Sequence, residues 1–473
     1  YGGSVENRVR FPAMVFDRIR KAVGPDMVIL MRYSANDLVP GGVTMEEAIE
    51  TIKLLQDKVD IVQCSVGVRS GLDSLAITMP SHYIKSACNA YLAKEMRRHV
   101  KIPIDTVGAI NDPDLAEELI ASGTSDFVSM ARSFIADPDW ALKAKECRAD
   151  DIRPCVRCLR CLSPDYTGDS RCTVNPHKTW FHMEHALVRP AERQKKVAVI
   201  GGGPAGMQAA LKASERGHFV TLYEKSERLG GLLNYADHVV FKKDLARFKN
   251  YLIHQVEKDS RISVRLSTPA TPELIRELAP DAVIVALGAS PAKPPIPGLD
   301  KPIVRPAAEI YGHEDALGKR VIILGGGVIG CETAIHLADH NKELSIVEMT
   351  GELMGEEKNV FEKYHALFFL DHEFDIETSN LNQYKETPDK VKKYLSTRCV
   401  EVLDDGIRVA LPDGKEDFLP ADAVVLAAGM KAKAAERDTF NGLADDVIYA
   451  GDCIKAADVH NATFTGYAAA VQI

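Results

Sequence analysis

The sequence has no excess of positive charge and no long apolar run, and no secretory leader is expected at its start. Its 58 Lys and Arg stand against 67 Asp and Glu, a formal net charge of −9, which argues against nucleic acid as a partner. No apolar stretch approaches the roughly 20 residues that a membrane helix needs. The start lacks the charged and then apolar segments of a secretory signal, so a cytoplasmic location is expected. The chain opens not with Met but with Tyr1-Gly2-Gly3-Ser4, which reads as the start of a fragment. Cysteine is sparse and unevenly placed. Six of the ten, Cys64, Cys88, Cys147, Cys331, Cys399 and Cys453, are scattered and read mostly as small buried hydrophobes. The other four fall between positions 155 and 172. In a chain without a signal, such clustering reads as metal ligands and not as a disulfide framework.

What is present is enough for about three domains: 473 residues, 46% of them hydrophobic. The clustered cysteines run Cys155-Val156-Arg157-Cys158-Leu159-Arg160-Cys161, with Cys172 following at a distance. Three thiolates at C-x2-C-x2-C spacing on one tight loop, joined by a fourth, suit a [4Fe–4S] cluster. Four thiolates also suit a tetrahedral zinc. Both readings stay open on spacing alone.

Residues 1 to 150 alternate helical patterns with short apolar strands. A helix from about Asn7 to Ala22 stops at Gly24-Pro25. Strands are expected at Met27–Met31, Asp60–Cys64, Ile102–Val107 and Asp126–Met130. Thr44 and Glu47 form a capping box for the helix that follows the first strand. Four such βα units are half of a (β/α)8 barrel, and an open doubly wound sheet is the alternative. Polar residues and glycines stand at the strand ends: Arg32, Gly67 and Arg69, Gly108, then Ala131 and Arg132. A glycine that admits backbone N–H groups and an arginine fork suit a phosphate-bearing cofactor.

The remainder carries two dinucleotide fingerprints in strand–loop–helix context. After Lys196–Ile200 comes Gly201-Gly202-Gly203-Pro204-Ala205-Gly206, and the next strand ends at Glu224. After Val321–Leu324 comes Gly325-Gly326-Gly327-Val328-Ile329-Gly330, and its next strand ends at Glu348. The glycines admit the pyrophosphate to a helix N-terminus, and the acidic residue accepts ribose hydroxyls. Glu348 precedes Met349 and not an arginine, which favours NADH over NADPH.

These phrases carry a resemblance that spans essentially the whole chain. Tyr1-Gly2-Gly3-Ser4-Val5-Glu6-Asn7-Arg8-Val9-Arg10-Phe11 resembles the stretch before barrel strand six of the old yellow enzyme family, and Met31-Arg32-Tyr33-Ser34 the end of that strand. Val107–Pro113 and Ser129–Pro138 resemble its last two phosphate loops. With the cysteines, and with Thr173-Val174-Asn175-Pro176 after them, the chain is similar to the multidomain branch that includes 2,4-dienoyl-CoA reductase, 2-enoate reductase and trimethylamine dehydrogenase. The resemblance implies FMN held by Arg32, Gly108, Ala131 and Arg132, and a [4Fe–4S] cluster on Cys155, Cys158, Cys161 and Cys172. It implies FAD on Gly201, Gly203, Ala205, Gly206, Glu224, Gly231, Leu232, Gly451 and Asp452, and NADH on Gly325, Gly327, Gly330 and Glu348.

The implied domains are the C-terminal half of an FMN barrel (1–150), a cluster segment with linker (151–190), an FAD domain (191–315 and 425–473) and an NAD(P) domain (316–424). The family's first five strands and its catalytic tyrosine have no counterpart here, as expected of an N-terminal truncation. Arg69 stands where dienoyl-CoA reductases carry histidine. It cannot donate a proton at neutral pH but could bind a carboxylate, which leaves His82 and Tyr83 as candidate acids. The expected activity is NADH-dependent reduction of an activated C=C bond in an enoate, enone or dienoyl-CoA. The alternatives are an amine dehydrogenase, an NADH oxidase or diaphorase, and a truncated nucleotide-binding fragment without substrate chemistry. The expected partner is a small unsaturated substrate, with homo-oligomer formation open and neither nucleic acid nor membrane involved.

Overall fold

The structure is a computed structural model that describes residues 1–68, 74, 77–162, 171–180, 190–357, 359–373, 385–387 and 390–473. Among them, no helix is long and apolar enough to cross a membrane. The chain forms two compact units. One comprises Tyr1–Phe134, Pro138–Ala149 and Glu373–Lys385, and the other Ile135–Asp137, Asp150–His372 and Glu386–Ile473.

The first unit contains α1 (Val5–Val23), β1 (Leu30–Ser34), α2 (Met45–Leu55), β2 (Ile61–Ser65), α3 (Ala90–Arg97), β3 (Ile104–Val107), α4 (Pro113–Ala121) and β4 (Phe127–Ser129). A short helix, α5 (Arg132–Ala136), follows. The strands are parallel and pair in sequence order, β1-β2-β3-β4. Sequential order without a switch point is the arrangement of a barrel half and not of a doubly wound sheet. Thr44 Oγ1 accepts the Glu47 N–H at the start of α2, while the Glu47 carboxylate pairs with Arg8 and so does not return to the cap.

The first strand begins three residues later than expected. Arg20 Nη1 bonds the carbonyls of Gly24, Pro25 and Met27, so Met27 closes the end of α1. Arg32 accordingly lies inside β1 and does not follow it.

The second unit holds two five-stranded parallel sheets. In chain order its elements include β5 (Lys196–Ile200), α6 (Pro204–Glu215), β6 (Phe219–Tyr223), α7 (Lys243–Lys258), β7 (Ile262–Arg265), β8 (Ala282–Val285), β9 (Val304–Pro306), β10 (Arg320–Leu324), α8 (Val328–Ala338), β11 (Glu343–Val347), α9 (Val360–Asp371) and β12 (Val391–Tyr394). An antiparallel meander, β13 (Arg398–Val402), β14 (Gly406–Ala410) and β15 (Glu416–Pro420), precedes β16 (Ala423–Leu426), β17 (Asp446–Tyr449) and α10 (Val459–Gln472). The first sheet has the order β17-β8-β5-β6-β7 and the second β9-β16-β10-β11-β12. The late strand β17 returns to the first sheet, so the second is inserted within it. Val304–Pro306 and Ala423–Leu426 both belong to the second sheet, which moves its near edge ahead of the boundary expected at residue 316.

Both sheets turn from strand to helix through the same close contact. Gly201 and Gly325 each have φ 108°, a region that disfavours any side chain. A Cβ on Gly206 would lie 1.8 Å from the Gly201 carbonyl oxygen, and one on Gly330 1.9 Å from that of Gly325. Backbone cannot retreat from such a clash. At Gly203 and Gly327 an added Cβ meets nothing within 4 Å, and φ is −77° and −73°. Gly206→Ala and Gly330→Ala should therefore each cost about 2 kcal/mol or more and lower the thermal midpoint by several degrees. Gly203→Ala and Gly327→Ala should leave the midpoint of the cofactor-free protein within about a degree. Equal shifts in the two pairs, measured by calorimetry, would contradict this reading of the turns.

Candidate functional site

In the first unit the site lies along one face of the sheet. Arg32, Gln63 and Asp105 are register partners on β1, β2 and β3, so their side chains share a face. The neighbouring row on the opposite face is Met31, Val62 and Ile104, all buried and apolar. Gln63 Nε2 and Ser129 Oγ both donate to Asp105 Oδ2 at 2.6 Å. Asp105 is 1% exposed, and its Oδ1 is buried without a hydrogen-bond partner. Burial, and then the Asp105 charge, push the Cys64 thiol up to about 12. Neither Gln63 nor Asp105 was singled out in the sequence. The usable signal was a polar residue at an alternating position inside two otherwise apolar strands.

Gly108, at φ 135°, follows β3; a Cβ there would meet Asn89 Nδ2 at 2.6 Å. Asn89 itself donates to the Val107 carbonyl. Ala131 is exposed. Arg132 Nη1 bonds the Pro80 carbonyl at 2.8 Å, which ties it to the segment carrying His82 and Tyr83. Those two are buried, with rings 4.2 Å apart. Arg69 lies outside the described residues.

The cysteine segment is fastened to the first nucleotide-type sheet. Arg157 (φ 52°) and Leu159 (φ 59°) sit in the left-handed region and turn the loop between the cysteines. The Arg157 N–H donates to Cys155 Sγ at 3.4 Å, and Cys158 Sγ lies 3.1 Å from Thr173 Oγ1. The Arg157 guanidinium pairs with Asp244 on α7 at 2.5 Å, with side chains 2% and 1% exposed. Just ahead of the loop, Asp151 meets Lys258, Gln255 and His254 of the same helix. Lys258 foremost among these holds the Asp151 carboxyl down to about 2.

On the other side, Arg160 pairs with Asp458, His460 Nδ1 is 3.4 Å from the Cys172 carbonyl, and Thr463 Oγ1 donates to that of Thr173. Asp458 is also the N-cap of α10, accepting the Asn461 N–H. That helix ties back to Gly451, whose N–H donates to Thr465 Oγ1. Asn359, the N-cap of α9, donates to the Cys158 carbonyl at 2.9 Å.

The two glycine loops close in the same way. Glu224 Oε2 accepts the Gly202 N–H at 2.8 Å, and its Oε1 takes Ser226 N–H and Oγ. Glu348 Oε2 accepts the Gly326 N–H at 2.7 Å, and its Oε1 takes Thr350 N–H and Oγ1. Gly231 has φ 56°, and Leu232 beside it is exposed. Asp452 is partly buried, which raises its pKa, and it accepts the Ala457 N–H.

Comparison with known proteins fits this layout. Residues 1–151 match the NADH:flavin oxidoreductase / NADH oxidase family, and residues 195–466 the pyridine nucleotide-disulphide oxidoreductases. The NADH oxidase of Thermoanaerobacter brockii is 35% identical over 486 residues, spanning 100% of this chain and 71% of that protein. The chain is a multidomain NADH:flavin oxidoreductase. The cinnamate reductase of Clostridium sporogenes is 32% identical, over 100% of this chain and 70% of its own. The solved structure of a 2-naphthoyl-CoA reductase complex superposes with a TM-score of 0.89 at 32% identity, covering 100% of this chain and 69% of that one.

The oxidoreductase therefore works with FMN in its first family region and with FAD and NADH in its second. The residues fit these groups. The open space in front of Gly203 and Gly327 is where a pyrophosphate would lie against the helix N-termini. The four cysteines supply four soft donors. Four thiolates are the donor set of a [4Fe–4S] cluster.

In this oxidoreductase the Arg157–Asp244 pair should decide whether the cysteine loop holds its shape. Asp244→Ala removes the buried carboxylate that pairs with the guanidinium and should cost about 3–5 kcal/mol. The double change Arg157→Leu/Asp244→Ala should recover more than half of that. Thermal midpoint and iron retention are the measurements, and a strictly additive double variant would contradict the coupling.

Proposed function

We propose that the protein uses NADH to reduce a C=C bond conjugated to a carboxylate or thioester carbonyl, with electrons carried over FAD and a [4Fe–4S] cluster to FMN. The observation that carries this reading is the bonding of the cysteine segment to α7 and α10 of the first sheet. It joins the ligands of a one-electron carrier to the fold that holds a two-electron flavin. The bound cofactors supply hydride transfer and single-electron carriage.

The chain's own residues bind and orient. Gly201, Gly203, Ala205, Gly206 and Glu224, with Gly231, Leu232, Gly451 and Asp452, hold the FAD. Gly325, Gly327, Gly330 and Glu348 hold NADH. Arg32, Gly108, Ala131 and Arg132 hold the FMN, with the Arg32 cation set to favour an anionic reduced ring, and Asp105 fixes Gln63 beside it. Cys155, Cys158, Cys161 and Cys172 ligate the cluster. His82 and Tyr83, packed behind the segment that Arg132 grips, are the candidate proton donors, and Arg69 the candidate partner of a substrate carboxylate. Support for the substrate class comes from the relatives, a cinnamate reductase and a 2-naphthoyl-CoA reductase. A second reading, NADH oxidation without an organic acceptor, is favoured by the Thermoanaerobacter relative.

Two measurements test this. Anaerobic NADH consumption should rise several-fold when cinnamate or a 2-enoate thioester is added, with the corresponding saturated acid or thioester as product. Consumption indifferent to every such acceptor would favour the oxidase reading. Glu348→Ala should weaken NADH relative to NADPH by about tenfold, because a carboxylate at that strand end accepts the ribose hydroxyls and repels a 2′-phosphate. An unchanged NADH/NADPH ratio would remove Glu348 from the role.

A further inference from the structure

A second group of metal-type ligands lies away from the cysteines. His336 sits in the last turn of α8, and His340 continues that turn four residues on. Glu314 lies on the short turn Glu314–Leu317 ahead of β10. His336 Nε2 is 2.8 Å from Glu314 Oε1, and the side chains are 5% and 11% exposed. The His336 and His340 rings are 4.7 Å apart. One ligand atom from each of the three residues lies within 4.8 Å of the other two. The Tyr311 ring packs 5.2 Å from that of His336 and, with its hydroxyl bonded to Thr333, walls the inner side.

We propose that Glu314, His336 and His340 form a binding site for a divalent ion of the zinc class, with water completing the coordination. Two imidazoles and one carboxylate are a donor set that zinc and its borderline neighbours accept, and histidines at i and i+4 present their rings on one helix face. The site is charged for the purpose. Against the upward pull of burial, the Gly312 N–H and His336 hold the Glu314 carboxyl at about 2, and burial lowers His336.

On binding, the ion takes the place of the proton shared between His336 Nε2 and Glu314 Oε1. That proton moves to Nδ1 or leaves to solvent, and exposed His340 turns in as the third ligand.

The site is roughly 13 Å along α8 from Gly327, at 1.5 Å per residue, so it is remote from the glycine loop. It cross-links the connection between β9 and β10 to the helix that carries the second fingerprint. The expected role is to stiffen the second sheet's nucleotide half, independently of the redox chemistry proposed above.

The test titrates the purified holoprotein with Co2+ and with Zn2+, by visible absorption and calorimetry, beside His340→Ala and Glu314→Gln. His340 is exposed and its replacement should fold normally; Glu314→Gln keeps the shape of the buried side chain. The expected result is one ion per chain beyond the iron. It should show a cobalt d–d band without sulfur charge transfer, at least tenfold weaker binding in both variants, and a thermal midpoint that rises with Zn2+ in the wild type alone. No uptake at millimolar metal, equal uptake in His340→Ala, or a sulfur-to-cobalt band would each overturn the assignment.

Discussion

The guanidinium of Arg157 is buried against a buried carboxylate. It lies between the cysteine loop and α7, where Asp244 is equally buried and within hydrogen-bond reach. Such a pair adds little net stability against an apolar replacement, but removing one member alone is severe. Its value here is positional. It fixes a loop that contains two residues in the left-handed region and no regular structure beyond a short turn. Asp151 at one end, and Arg160, Cys172 and Thr173 at the other, extend the same attachment to α7 and α10. The cysteines are thus placed by the nucleotide fold and do not depend on their own loop for geometry.

That fold is built twice on one plan. Each copy has a left-handed glycine at the strand exit, a second glycine pressed on the first one's carbonyl, and a glutamate gripping the loop N–H from the next strand. The repetition extends to the hydroxyl that holds the glutamate, Ser226 in one copy and Thr350 in the other. The glutamates are occupied by the loop, so each positions backbone N–H groups there. Two loops of like shape thus stand in one unit, and the cysteine segment is attached to the helices of the first.

Much of this was legible in the sequence because the constraint was local. A glycine pattern between a strand and a helix has one backbone solution, and four cysteines at short spacing have few uses. The helix stop at Gly24 and the N-cap at Thr44 were legible for the same reason. What escaped was set by partners far along the chain. Arg20, reaching the carbonyls after α1, delayed the first strand. Pairing with β16 drew Val304–Pro306 into the second sheet. Asp105 looked like one polar residue in an apolar strand until register placed it beside Gln63. Arg157 looked like spacing between cysteines until Asp244 appeared opposite it. Glu314 and His336 are joined only by the fold.

The central claim is that NADH, entering at the second fingerprint, delivers electrons to a four-iron cluster held by Cys155, Cys158, Cys161 and Cys172. The most direct measurement is freeze-quench electron paramagnetic resonance of the anaerobic protein after mixing with NADH. The account predicts the signal of a reduced [4Fe–4S] centre within turnover, absent in Cys158→Ala although the FAD absorbance still bleaches. Stoichiometric zinc without acid-labile sulfide, or a cluster that stays oxidised while the flavins are fully reduced, would contradict it.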